Sequence, residues 1–168
     1  MWICFQLNFD TMADDLNIIA GTKHEQYENL LPQIEALISY ETDSVANLAN
    51  VAAALKEQFG WLWVGFYIVR DGELVLGPFQ GPVACTRIQK GRGVCGSAWA
   101  QAQTIVVPDV EQFPGHIACS SASRSEIVVP VIRDGAVVAV LDADSTDLSC
   151  FDEIDAAWLE KLVALLKW

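Results

Sequence analysis

The 168-residue sequence has few basic side chains and no long apolar run. Ten Lys and Arg residues stand against 22 Asp and Glu residues, so the net charge is −12 and no basic cluster is available to neutralise phosphates. Nucleic acids and anionic membranes are therefore not expected as partners. The longest apolar runs, such as 127–132 and 136–141, have the length of a strand and fall far below the roughly 20 residues of a spanning helix. We expect a soluble protein.

The N-terminal stretch MWICFQLNFD is apolar, but it lacks the basic flank and the cleavage site of a signal peptide. We expect residues 1–22 to be an extension or N-terminal tail, within which Met12 is a candidate start, and residues 23–168 to form a single domain. An odd number of cysteines without a secretory signal favours a reducing cytoplasm over a disulfide framework. The five cysteines are Cys4, Cys85, Cys95, Cys119 and Cys150.

Hydrophobic periodicity predicts helices towards both ends of the chain. The first covers 25–40, where Pro32 is expected to bend or restart it. The second follows the N-cap Asp43 and ends at Gly60, and an amphipathic helix is expected over 151–168. A short helix is also expected from about Gly96 to Gln101.

Strand patterns fill the middle of the chain. WLWVGFYIVR and ELVLGPFQG flank Asp71-Gly72, which is a strong hairpin signal, and TIVVPDV, SEIVVPVI and AVVAVLDADS predict three more strands. Hairpins mixed with helices indicate the α+β class. We expect a central antiparallel sheet with helices on one side, which leaves the other side for active-site loops.

Two acids near the end of the last predicted strand share one face of it. Asp142 and Asp144 are two residues apart, so both project with Val138 and Val140. If the preceding turn has three residues, 133–135, Glu126 lies opposite Asp142 on the same face; if it has two, Glu126 points the other way. Three acids on one face would raise one another's pKa values and supply a general acid. The alternative is a set of strand-end carboxylates in water.

The polar loop 111–125 holds Cys119 three residues after His116. An exposed loop thiol is a candidate nucleophile, and Cys85 and Cys95 also lie in glycine-flanked, loop-like segments. The three thiols are therefore expected to meet above the sheet, although Cys119 can equally be an inert exposed thiol. A zinc site formed by the same thiols and His116 is the rival hypothesis, but no CxxC or HxxxH spacing supports it, and we expect neither a metal nor another cofactor.

Aromatic residues alternate with aliphatic ones in WLWVGFYIV. Trp61, Trp63, Gly65 and Tyr67 share one parity, while the aliphatic set is expected to face the helices. Aromatics around a glycine favour a pocket floor for a small ligand with an apolar end. The alternative is additional core under the long loop.

Several stretches, in order, resemble the free methionine-(R)-sulfoxide reductases, a single-domain branch of the GAF fold. They are FGWLWVGFYIV, LGPFQGPVACTRI, GRGVCGSAWA, VPDV, FPGHIACSSASRSEIVVPV, VLDADS and FDEID. The resemblance runs from about residue 25 to the C-terminus and implies a GAF-like fold for residues 23–168.

The resemblance implies a role for each matching residue. Cys119 of HIACSS matches the nucleophile, and Cys85 and Cys95 match the cysteines that recycle it. Glu126, Asp142 and Asp144 match the active-site acids of the family, and Trp63 matches the aromatic residue that packs on the substrate methyl group. Glu126 or Asp144 would then be the proton donor, and Asp142 with one neighbour would bind the ammonium group of the substrate.

The implied reaction is the reduction of free L-methionine (R)-sulfoxide through a cysteine sulfenic acid and an intramolecular disulfide, which thioredoxin recycles. A homodimer through the terminal helices is a further expectation from this resemblance. The alternatives are a GAF-type module that senses a small molecule without catalysis and a redox switch whose thiols only record oxidant.

Overall fold

The computed structural model describes residues 15–116 and 120–168 as an antiparallel sheet with helices. The elements in chain order are α1 (Lys23–Ser39), α2 (Ser44–Phe59), β1 (Trp63–Arg70), β2 (Glu73–Gln80), β3 (Arg87–Gln89), α3 (Gly93–Gln101), β4 (Ile105–Val107), a 3-10 turn (Val110–Gln112), β5 (Ser125–Arg133), β6 (Ala136–Ser145) and α4 (Glu153–Leu165). Six strands form one sheet in the order β3-β2-β1-β6-β5-β4. The predicted α+β class with a central antiparallel sheet is confirmed.

The helix ends follow from local capping residues. Asp43 caps α2 by accepting a hydrogen bond from Ala46 N, and Gly60 ends that helix in the left-handed conformation at φ +67°. Thr22 forms a capping box with Glu25 at the start of α1. The expectation that Pro32 restarts the first helix is wrong, because α1 continues through it from Lys23 to Ser39.

Two-residue turns close both long hairpins. Asp71 and Gly72 join β1 to β2 with φ values of +51° and +82°, as the Asp-Gly signal predicts. Asp134 and Gly135 join β5 to β6 with φ values of +50° and +78°, and Arg133 pairs directly with Ala136. The three-residue turn considered for this second hairpin is therefore wrong.

A β-bulge in the second hairpin decides which face Glu126 takes. The pairing advances from Val131 opposite Ala139 to Ile132 opposite Val137, so Val138 is an extra residue in β6. Beyond the bulge the register is shifted by one, and Glu126 pairs with Asp144 rather than with Asp142. Glu126 thus joins the acids' face, whereas the two-residue turn alone would have pointed it the other way.

The bulge also moves Val138 from the acids' face. Val138 packs against the helix-side core, while Val137 packs on the opposite side with Val140. The expectation that Val138 and Val140 share a face is therefore wrong, because strict alternation fails at one residue of β6.

The sheet separates two apolar cores. Helices α1, α2 and α4 cover one face, where Val64, Phe66 and Ile68 of β1 lie. Trp63 and Tyr67 lie in the other core, which α3 and loops cover. The aliphatic and aromatic residues of β1 therefore take opposite faces, as their alternation predicts.

Trp61 departs from the predicted parity because β1 begins only at Trp63. Trp61 lies in the helix-side core, where its ring stacks on Phe59 at 4.6 Å and meets the Phe151 ring edge-on at 5.2 Å. It takes no part in the pocket floor.

The stretch between β2 and β4 is more ordered than the sequence indicates. Strand β3 was not predicted, and α3 begins at Gly93 rather than at Gly96. A Cβ on Gly96 would lie 2.4 Å from Gln89 O, so α3 packs directly on the end of β3.

The segment before α1 is hydrogen-bonded to the helices. Asn17 N donates to Gln33 Oε1 at 2.8 Å, and Gln58 Nε2 donates to Ile19 O at 2.8 Å. Residues 1–14, with Cys4 and Met12, lie outside the described residues, and the domain boundary after residue 22 stays a prediction. Within the described residues, no helix is long and apolar enough to cross a membrane.

A buried carboxylate ties α4 to α1. Asp155 is 1% exposed and accepts hydrogen bonds from Tyr27 OH and from Asp152 N, both at 2.9 Å. Lys23 Nζ forms an ion pair with the same carboxylate. Three donors therefore converge on one buried side chain.

We predict that Asp155→Asn lowers the free energy of unfolding by about 2–4 kcal/mol, because the amide nitrogen would face donors that now bind a carboxylate. Glu160→Gln on the exposed face of the same helix is the control, with an expected change within about 0.5 kcal/mol. Urea unfolding of both variants measures the difference. Equal losses in the two variants would contradict this role of Asp155.

Candidate active site

Three acids meet on the sheet face opposite α1, α2 and α4. Asp142 and Asp144 lie two residues apart on β6, and Glu126 of β5 pairs with Asp144. On the other side of β6, Trp63 pairs with Asp144 and Gly65 pairs with Asp142. Cross-strand partners point to the same face, so the acids and the Trp63 indole share one surface.

Gly65 leaves room for the Trp63 ring to lie across the strand. A Cβ at position 65 would come within 2.7 Å of Trp63 Cη2 and 2.3 Å of Phe79 Cβ. The Trp63 ring stacks on Phe79 at 5.3 Å and on Tyr67 at 5.9 Å. Trp63 Nε1 is buried without a hydrogen-bond partner among the described residues.

The cysteines lie in different settings. The sequence predicts a loop at Cys95, but this residue lies in the first turn of α3 and its thiol is buried. Cys85 lies in the loop between β2 and β3 and is disulfide-bonded, while Cys95 and Cys150 are free thiols. Cys150 packs on the helix side of the sheet, away from the acids. Cys119 lies outside the described residues.

Cys95 reaches the acid cluster. A ligand atom from each of Cys95, Glu126 and Asp142 lies within 4.8 Å of the other two. The thiol is hydrogen-bonded to Asp142, and burial, with the nearby acids, raises the pKa of Cys95 well above its ordinary value. The thiol form is therefore strongly favoured at neutral pH.

Burial and mutual repulsion hold protons on the acids. The pKa of Glu126 is raised well above its ordinary value by burial, by the charges of Asp142 and Asp144 and by a hydrogen bond with Asp142. Burial and Asp144 also raise the pKa of Asp142, against hydrogen bonds from Cys95 and Glu126 that lower it. The cluster therefore carries fewer than three negative charges at neutral pH.

Asp144 is the most acidic member of the cluster. Burial raises its pKa to about 6, and a hydrogen bond from Ser123 Oγ opposes this rise. Asp144 is therefore largely ionised at pH 7. The Asp142 carboxylate has one oxygen, Oδ1, that is buried without a hydrogen-bond partner among the described residues.

His116 lies beside the same cluster. Its Nδ1 is 3.8 Å from Glu126 Oε2 and is buried without a hydrogen-bond partner among the described residues. Burial lowers the pKa of the imidazole, which favours the neutral form. Cys119, three residues after His116 in the sequence, lies outside the described residues.

The acids and Trp63 line one pocket. Arg92, Gly93 and Val94 line the wall formed by the start of α3, and Tyr67 lies beneath with its hydroxyl donating to Cys85 O at 2.9 Å. The first turn of α3 has no side-chain cap. Its backbone N–H groups are available to an anion in the pocket.

Sequence reasoning missed Ser123, Arg92 and Phe79. Ser123 is one serine in a polar loop, and no spacing distinguishes it. Phe79 pairs with Gly65, and its stacking on Trp63 follows only from the register of β1 with β2. Arg92 precedes Gly93, which has a φ of +61° and is the first residue of α3. The sequence predicts a later start for this helix, so Arg92 was not expected at the pocket.

Residues 42–167 match the GAF domain family. GAF domain-containing protein A of Dictyostelium discoideum is 64% identical over 156 residues, which cover 92% of this chain and 99% of that protein. The free methionine-R-sulfoxide reductase of Escherichia coli is 47% identical over 146 residues, which cover 86% of this chain and 88% of that protein.

Among solved structures, the free methionine-R-sulfoxide reductase of Neisseria meningitidis in complex with its substrate is 59% identical, with a TM-score of 0.90. The match covers 91% of this chain and 93% of that chain. The resemblance in the sequence motifs is therefore confirmed over nearly the whole length. This chain belongs to the free methionine-R-sulfoxide reductases, a family of enzymes built on the GAF domain.

Proposed function

We propose that this chain reduces free L-methionine (R)-sulfoxide to L-methionine with Cys119 as the nucleophile. The observation that carries the proposal is the acid cluster of buried Glu126 and Asp142 with half-buried Asp144, which faces Trp63 in one pocket. It provides both a proton and a negative charge next to an apolar wall. The names of the relatives from Escherichia coli and Neisseria meningitidis support the same substrate.

The pocket offers a partner for each end of a free amino acid. The ammonium group would bind Asp142, whose Oδ1 has no other hydrogen-bond partner among the described residues, and the ionised Asp144. The carboxylate would bind the backbone N–H groups at the start of α3, where Arg92 also lines the wall. The methyl group would pack on Trp63. A methionine within a polypeptide has neither charge in these positions, so we expect the free amino acid to be the substrate.

The acid cluster solves the leaving-group problem of a sulfoxide. The Cys119 thiolate attacks the substrate sulfur, and Glu126 delivers its proton to the sulfoxide oxygen. The hydroxyl then moves from the substrate sulfur to Cys119 Sγ as the transient bond between the two sulfurs breaks, so that methionine leaves and Cys119 becomes a sulfenic acid. The strongly raised pKa of Glu126 favours this residue over Asp144 as the donor.

Regeneration requires a second thiol and an external reductant. We expect Cys85 to attack the sulfenic acid of Cys119 and to form a disulfide with loss of water. Cys85 is disulfide-bonded in the structure, and neither Cys95 nor Cys150 is its partner because both are free. The raised pKa of Cys95 makes it a poor first partner and leaves it the role of a later relay.

The surroundings of the reaction are part of the same proposal. A thioredoxin-like dithiol in the cytoplasm would reduce the disulfide and would restore both thiols. A homodimer through the terminal helices is compatible with this scheme. No step in it requires a metal or an organic cofactor.

We predict that the protein consumes NADPH when it is supplied with thioredoxin, thioredoxin reductase and free L-methionine (R)-sulfoxide. Cys119→Ser should lower the turnover rate by about three orders of magnitude or more, because the hydroxyl is a far weaker nucleophile. Cys150→Ser, on the other side of the sheet, should retain full activity.

The same assay with an oxidised methionine inside a peptide should give no turnover. Turnover that survives in Cys119→Ser would contradict the mechanism. A complete lack of turnover in the unaltered protein would favour the sensor hypothesis.

We predict an acid limb near pH 6 in the pH profile of kcat/KM. Below about pH 6 the Asp144 carboxylate becomes neutral and no longer attracts the substrate ammonium, so kcat/KM should fall up to about tenfold per pH unit. In Asp144→Asn the KM should be raised at pH 7 and this limb should be absent. Asp147→Asn, at the exposed end of the same hairpin, should keep the limb, and its persistence in Asp144→Asn would contradict the assignment.

We predict that Glu126→Gln lowers turnover and raises the melting temperature at high pH. The folded-state pKa of Glu126 is raised, so the native protein loses stability as the pH rises from the unfolded-state pKa through the folded-state pKa, and an amide avoids this loss. The Tm advantage of the variant should be small at pH 4.5 and reach about 2–4 °C at pH 8, with turnover strongly reduced.

Glu111→Gln in an exposed position is the matched control for thermal unfolding, with no pH-dependent gain expected. A Glu126→Gln variant whose Tm advantage is the same at both pH values would show that Glu126 does not hold a proton in the native state.

A further inference from the structure

The ligand atoms at the base of the pocket form a mixed set. Cys95 provides sulfur, and Glu126 and Asp142 provide carboxylate oxygen, all within 4.8 Å of one another. All three side chains are buried, with exposed fractions of 4–6%. Ligands bound to one metal ion at roughly 2.0–2.3 Å lie roughly 3–4 Å apart, so small side-chain movements would bring these three atoms to one ion.

The cluster lacks a compensating cation within the described part of the chain. No Lys or Arg described in the structure forms an ion pair with Glu126 or Asp142. Asp142 Oδ1 is buried and has no hydrogen-bond partner there, which is costly for a carboxylate oxygen. A bound cation would relieve both this cost and the repulsion among the acids.

An imidazole nitrogen lies near one of the three donors. His116 Nδ1 is 3.8 Å from Glu126 Oε2, and it is also buried without a hydrogen-bond partner among the described residues. A neutral imidazole is the form that binds metals. His116 is not one of the donors that lie within 4.8 Å of one another, so the converging set comprises one sulfur and two oxygen donors.

We propose that this pocket binds Zn²⁺ through Cys95, Glu126 and Asp142, and that zinc thereby inhibits the enzyme. A thiolate with two carboxylates suits zinc, whereas Mg²⁺ and Ca²⁺ prefer all-oxygen sets. Binding releases the protons of Cys95 and Glu126 to solvent and changes no oxidation state. The inhibitory part rests on the proposed function.

Inhibition follows from shared groups. Zinc would occupy the Asp142 oxygen that we assign to the substrate ammonium, and it would remove the Glu126 proton that we assign to the sulfoxide oxygen. Zinc and substrate therefore exclude each other. Proton release makes the affinity for zinc rise with pH.

The ligand set is tested on fully reduced, metal-free protein with Co²⁺ as a spectroscopic substitute for Zn²⁺. We expect a thiolate-to-cobalt charge-transfer band in the unaltered protein and in Cys85→Ser and Cys150→Ser. The band should be lost in Cys95→Ser, and Zn²⁺ should displace Co²⁺. His116→Gln should also keep the band.

A missing band in the unaltered protein would overturn the proposal. Loss of the band in Cys85→Ser or Cys150→Ser would place the metal on other thiols and would overturn the ligand set. Retention of the band in Cys95→Ser would do the same. Circular dichroism of each variant confirms that a lost band does not reflect lost folding.

Inhibition is tested in single-turnover reduction of free methionine (R)-sulfoxide, which avoids zinc effects on thioredoxin reductase. At a zinc concentration ten times its dissociation constant, the substrate concentration that gives the half-maximal single-turnover rate should rise about tenfold, with the maximal rate unchanged. Zinc binding without this competition would overturn the inhibitory part. If the protein reduces the substrate but does not bind zinc, the zinc proposal fails and the proposed function stands. If it binds zinc but shows no turnover, the proposed function fails and the zinc site stands.

Discussion

The repulsion among three carboxyl groups on one buried face of the sheet is the constraint on which the pocket depends. Glu126, Asp142 and Asp144 are held together by strands whose backbones are fixed by pairing on both sides. Because the side chains cannot separate and little water reaches them, the cluster relieves its charge by retaining protons. In the proposed mechanism, one arrangement of like groups therefore supplies both the catalytic acid and the carboxylate that binds the substrate ammonium.

The two sides of the sheet differ in composition: one packs an apolar core against helices, and the other holds the acid cluster. The helix-side core packs α1, α2 and α4 on the aliphatic residues of the strands and needs no polar group from the acids' face. The opposite side can then accommodate buried polar atoms that have no partner within the described residues, such as Asp142 Oδ1 and Trp63 Nε1. Buried polar atoms of this kind are costly for stability, which is why they concentrate where a ligand can satisfy them.

Much of this arrangement can be predicted from the sequence, because period-two alternation is a reliable guide within a regular strand. It places Trp63 and Tyr67 opposite Phe66, and the Asp-Gly pair at 71–72 fixes the first hairpin. The bulge at Val138 carries no such signal, since it lies within a run of small and β-branched residues, Ala136 to Val140.

That one extra residue decides the face of Glu126, so the acid cluster could be stated from alternation only as one of two possibilities. The motif resemblance pointed to the same three acids without a register. The position of Cys95 was also beyond local patterns, because the start of α3 depends on packing against β3 and on the left-handed conformation of Gly93. Ser123 reaches Asp144 through the fold of the loop and not through spacing.

The retained proton on Glu126 is the central claim, and it is measured most directly by the carboxyl carbon chemical shift of Glu126 in reduced, metal-free protein labelled with carbon-13. Glu126→Gln identifies the resonance, which is then followed from pH 4 to pH 9. We expect the shift of a protonated carboxyl group at pH 7 and a transition only at higher pH. A transition centred at about pH 4.3, the ordinary pKa of glutamate, would contradict the account.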